Sequence, residues 1–174
     1  MRKILLSFIS ILVLLILQVC VFPHFALGGI IPNLLLILVS CYGFLRGCND
    51  GMIAGFICGL LLDVFSMNFL GFFAFAYMFI GYFNGFLKDF NIKEILFLPI
   101  LFIAVSDLAL NLFSYLFLMC MLNKHFNIDY YFIRVIVPEL IFTSIIALGL
   151  YPLVNLLDEK FLNVTATEEK DSAV

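Results

Sequence analysis

The sequence predicts an all-α integral membrane protein, a bundle of six transmembrane helices, and three observations predict it. Of 174 residues, 65% are hydrophobic and 12% are charged, too few polar side chains to clothe a soluble core. Six apolar segments approach the length of about 20 residues that a bilayer core roughly 30 Å thick demands of a helix. Most of the basic residues fall on one side of the bundle those segments would form, as bilayer orientation requires.

The first span is Ile4–Phe22, closed by Pro23. Arg2 and Lys3 precede it as they would a signal peptide, but the apolar run is long for a signal core and no small-x-small cleavage site follows, so a retained span is expected. The second is Ile31–Leu45, with Pro32 suited to its first turn. The third is Gly51–Phe65 and the fourth Phe69–Leu87; the second and third are short enough that one of them could be re-entrant. The fifth, Ile95–Leu122, is long enough to tilt. The sixth runs from about Ile133 to Leu157. Residues 1–157 thus form one six-span domain, and residues 158–174 a short polar, flexible, cytoplasmic tail.

With the N-terminus in the cytoplasm, Arg2, Lys3, Arg46, Lys88, Lys93, Lys160 and Lys170 lie inside, and Lys124 and Arg134 outside. That bias and an even span count put both termini in the cytoplasm. The longest exterior segment is then Asn123–Phe132, with Tyr130 and Tyr131 at the interface. A net charge of −3 and the lack of a basic run give no reason to expect nucleic acid as a partner.

Small and polar residues mark the bundle interior. Gly51, Gly55, Gly59 and Asp63 recur every four residues in the third span, so another backbone can approach that face; Gly81 and Gly85 repeat the pattern in the fourth. The plain reading of these glycines is helix packing. A carboxylate in a span is costly and must face protein or water. Asp107 sits near the middle of the fifth span with Asn111 and Ser114 on its face, and Glu139 follows Pro138 in the outward half of the sixth. Asn33, Asp63 and Glu139 are expected to line one polar pocket opening outward, with Asp107 deeper; the competing expectation is that each carboxylate bonds a neighbouring helix. Arg46 and Asp50 flank the turn between the second and third spans and are expected at the headgroups.

Five cysteines (Cys20, Cys41, Cys48, Cys58, Cys120) form no CxxC or Cys/His cluster and suit apolar packing; only Cys20 and Cys120 could share a membrane face. His24 and His125 are placed in interfacial loops. No metal-protease, nucleophile-elbow or phosphate-loop motif occurs, and neither Ser66 nor Ser106 has a histidine at hand. Neither catalysis nor a cofactor or metal is therefore expected.

Pro32-Asn33-Leu34-Leu35-Leu36, Arg46, then Gly55-x-x-x-Gly59-Leu60-x-x-Asp63, Leu70-Gly71, Val105-Ser106-Asp107-Leu108 and a final span carrying Pro152 occur in this order. The set resembles MreD, the bacterial rod shape-determining membrane protein family, some of whose members carry Asp at the position of Asn33. The resemblance implies a non-enzymatic role in cell elongation, association with the bitopic protein MreC, and indirect coupling to MreB and the peptidoglycan synthases. It also implies a fold similar to the substrate-binding subunits of energy-coupling-factor transporters, and a cytoplasmic-membrane location. Pro32, Asn33, Arg46, Gly55, Gly59, Asp63, Gly71, Asp107 and Glu139 are the candidate partner-binding or pocket residues, Asp63 orienting a partner segment. Two rival functions remain open. A vitamin-binding transporter subunit would retain a small molecule through purification. A small proton-coupled transporter using Asp63, Asp107 and Glu139 would show flux that fails when a carboxylate is neutralised.

Overall fold

The computed structural model describes residues 2–25, 30–66, 71–90, 97–122 and 131–171. Lys93, Lys124, His125 and Tyr130, and the side chains of Arg2, Lys3, Cys120, Lys160 and Lys170, lie outside the described residues. Among the described residues six α-helices follow one another: α1 (Arg2–Ile16), α2 (Leu34–Arg46), α3 (Cys48–Ser66), α4 (Phe72–Phe86), α5 (Phe97–Leu122) and α6 (Val137–Asp171). A helix satisfies its backbone internally, which is the requirement an apolar medium imposes.

Helix α1 passes into a π-turn (Leu17–Val21) and a 3-10 turn (Phe22–Phe25). There the His24 ring nitrogen donates to the Cys20 carbonyl at 2.9 Å, using one of the acceptors a helix end leaves over. Helix α2 starts three residues later than expected, so Pro32 lies outside it and Asn33 is its N-cap, accepting from the Leu36 N–H at 3.3 Å. A second N-terminal donor, Leu35 N–H, is taken by the Gln18 side chain at 3.0 Å. The α2–α3 turn is a single residue: Gly47, at φ +108°, reverses the chain and α3 resumes at Cys48.

Every residue of α2 from Leu34 to Leu45 is buried, and α1, α3, α4, α5 and α6 all pack on it. A helix apolar all round belongs at a core, and α2 is that core. The most extensive interface joins α3 to α4. Around the bundle, large apolar side chains face outward, among them Phe56, Phe83, Phe97, Leu116 and Ile145. This is the inside-out surface of a protein whose solvent is lipid.

Among the described residues, four segments are long and apolar enough to cross a membrane: Ser7–His24, Cys48–Phe65, Phe97–Phe117 and Phe132–Asp158. The lengths differ from expectation in three helices. The third helix is not short, because the tight Gly47 turn brings Asn49 and Asp50 into its first turn and extends it to 19 residues. The short helices are α2 and α4, of 13 and 15 residues. Nor does α6 end at Leu157; it passes Pro152 and continues to Asp171, and Asp158, the first residue assigned to a polar tail, is buried.

Candidate functional site

Asp63 lies near the C-terminal end of α3, one turn beyond Gly59. A Cβ added to Gly59 would overlap the backbone of Phe73 and Ala74, one added to Gly55 would overlap Tyr77, and one added to Gly51 would overlap Gly81. The missing side chains therefore let α4 lie directly against α3 along its length. Gly71 precedes α4 in a left-handed conformation, φ +102°, and has no side chain with which to cap it. Asp63 does this from the neighbouring helix. Its carboxylate accepts from the N–H groups of Gly71 at 2.9 Å, Phe73 at 3.0 Å and Ala74 at 3.0 Å. Three donors that a helix start leaves without partners meet one buried carboxylate, at the end of the dipole that favours negative charge.

This corrects two expectations. Asp63 does not line a pocket with Asn33 and Glu139, because both of its oxygens are occupied by α4. The glycine face carrying Gly55 and Gly59 does not stand ready for a partner segment, because α4 of the same chain fills it; helix packing is the reading that fits.

Three of the four residues expected to meet do so, with helpers that the sequence pattern did not single out. The Asn33 carbonyl oxygen accepts from the Tyr77 hydroxyl at 2.5 Å, and the Asn33 N–H donates to the Thr143 hydroxyl at 3.3 Å. Thr143 in turn faces Asp107. Glu139 lies near Asp107 across the α5–α6 contact and beside Asn111. The Asn111 amide donates to the Asp107 backbone carbonyl at 3.1 Å. Asp107 is fully buried, yet among the described residues no hydrogen bond is completed to either of its carboxylate oxygens.

Arg46, at the end of α2, turns its side chain onto the neighbouring helices. Its Nη2 lies 2.8 Å and its Nε 2.9 Å from Asp158 Oδ1, and its Nη1 donates to the Ser7 hydroxyl at 2.5 Å. The guanidinium stacks 4.2 Å from the centre of the Tyr42 ring, one turn back on α2. The Arg46 carbonyl accepts from Lys88 Nζ at 2.9 Å, so one residue ties α1, α2, α6 and the turn after α4. A last polar node joins α4 to α2 and α5, where the Asn84 amide donates to Ser40 at 2.9 Å and to Ser106 at 3.0 Å. Asp158, Ser7, Thr143 and Asn84 carried no local signal; Tyr42 did, four residues before Arg46 on one helix face.

Chemically, these polar groups join helices. Among the described residues no three His, Cys, Asp or Glu side chains are arranged to hold a metal ion. Comparison with known families agrees with the order of motifs: a model of the rod shape-determining protein MreD matches residues 1–161 of the chain. The chain belongs to the MreD family. No curated protein and no solved structure matches it. The MreD match takes in all of α1 to α5 and α6 as far as Phe161, so the Asp63 cap, the Asp107–Glu139 pair and the Arg46–Asp158 pair all lie within it. Membership makes this MreD relative a membrane protein of rod-shape determination.

Proposed function

We propose that this chain is a non-enzymatic scaffold of the cell-elongation machinery in the bacterial cytoplasmic membrane. It crosses six times, α2 and α4 included, with both termini in the cytoplasm. It binds MreC and through it supports MreB and the peptidoglycan synthases in lateral wall growth. The observation that carries this reading is the MreD family match over residues 1–161. The internal geometry supports it: Asp63, Arg46 and Asn84 each hold helices together, as a rigid platform for partners requires. A bundle of this kind is similar in plan to the substrate-binding subunits of energy-coupling-factor transporters, with packing in place of a vitamin pocket.

The experiment is depletion of the protein in its host, scored by cell shape, together with MreC recovery on the tagged chain. Rounded cells and co-purified MreC are expected. Normal rods with no MreC recovered would remove the scaffold reading. Reporter fusions at the two termini test the topology, and cytoplasmic activity of both is expected.

A further inference from the structure

The scaffold reading leaves one pair of groups unused. Asp107, halfway along α5, and Glu139, in the first turn of α6, interact with each other inside an apolar bundle. Asp107 is fully buried and both of its oxygens lack a hydrogen-bond partner among the described residues. A buried charge left in that condition is strongly destabilising unless a counter-charge meets it. Among the described residues, α2, α3 and α4 bring no counter-charge to the pair, and Arg134, in the turn before α6, has an interaction of its own. Asn33 of α2 is neutral, α4 brings Tyr77, α3 brings Cys58 beside Tyr77, and Tyr131 precedes α6 near Glu139. What surrounds the pair is polar and neutral: the Thr143 hydroxyl and the Asn111 side-chain amide.

We propose that Asp107 and Glu139, with Asn111 and Thr143, form an intramembrane binding site for one monovalent cation, a sodium ion or a proton. Size argues for a small ion, because full burial of Asp107 shuts out the basic side chain of a partner. Calcium takes about six to eight oxygens and magnesium surrenders its waters reluctantly, so four side chains in an apolar bundle suit a monovalent ion better. The site is independent of the scaffold reading, and failure here leaves MreC binding and cell shape as they were.

The test uses the purified full chain in detergent, melted in the presence of a thiol-reactive fluorogenic dye. Cys41 and Cys58 are fully buried and free, so unfolding exposes them to the dye. Sodium is varied against choline at constant ionic strength, and acidity is then varied in choline. An H24N/H125N background removes the histidines that titrate in the same range. For sodium, the midpoint rises about 4 °C per tenfold increase above the dissociation constant. For a proton, the midpoint rises on acidification and ignores sodium. Asp107→Asn and Glu139→Gln each abolish the response. A wild-type chain indifferent to both ions overturns the proposal, as does a wild-type response retained by both variants. Should the variants fail to fold, retention of radioactive sodium by the wild-type chain reads the first arm, and a carboxylic-acid infrared band already present at neutral pH, where exposed carboxylates are ionised, reads the second. Absence of both signals is likewise fatal.

Discussion

Replacing Asp63 by Ala tests how the α3–α4 pair is held. The substitution strands three N–H groups of the α4 start, of which that of Ala74 is buried and those of Gly71 and Phe73 are part-buried. An unsatisfied buried donor costs about 1–3 kcal/mol. Taking about 2 for Ala74 and about 1 for each of the others gives roughly 4 kcal/mol. That is a large share of the 5–15 kcal/mol typical of a folded domain. At about 2–4 °C per kcal/mol for a chain of this size, the melting midpoint falls by about 12 °C. Asp63→Asn keeps one acceptor oxygen and loses the charge, so about half that fall is expected. The assay is dye-monitored melting in detergent, with far-ultraviolet circular dichroism to confirm that both variants are folded at the start. An Asp63→Ala chain melting within about 2 °C of wild type would refute the capping account. If Asp63→Asn melts near its expected midpoint but no longer co-purifies MreC, Asp63 orients a partner as well.

Gly59→Leu forces a side chain into the backbone of Phe73 and Ala74, where nothing flexible can yield. About 3 kcal/mol is lost, seen as a fall in midpoint of about 9 °C. Gly71→Ala meets no atom within 4 Å but must hold φ near +102°, so about 1–2 kcal/mol is lost to backbone strain alone; Gly71→Asn, better suited to that conformation, recovers part of it in the same melt. Arg46→Ala leaves Asp158 buried without its partner and costs about 2 kcal/mol. Adding Asp158→Asn removes the orphaned charge, so the double variant melts above the sum of the two single losses.

Much of this architecture could be read from the chain because bilayer physics is coarse. Apolar runs of helical length give helices, and a run such as Leu34–Leu45, without a polar face, gives a buried one. The need of Asp63 for protein partners was equally legible. Its actual partners were not, since backbone N–H groups are common to nearly every residue and leave no mark in a sequence. The one available hint was Gly71, a helix start with no capping side chain of its own. Asn33, Asp63 and Glu139 shared a depth and were expected together, with Asp107 deeper; depth alone is why Asp63 was placed in the wrong group. Arg46 and Asp158 lie 112 positions apart, and no local pattern connects them.

That separation has a consequence for how the chain is made. Synthesis proceeds from the N-terminal side, and α3 and α4 are neighbours in sequence, so their glycine seam and the Asp63 cap can close early. The central helix is different. Asn33 meets Thr143 across 110 positions, and Arg46 meets Asp158 across 112. Until α6 leaves the ribosome, α2 has one open side and an arginine without its carboxylate. A nascent chain arrested in α5 would carry a finished hairpin around an unfinished core, the kind of species that quality-control proteases and membrane chaperones recognise. Synthesis of α6 is then the step that completes the packing around α2.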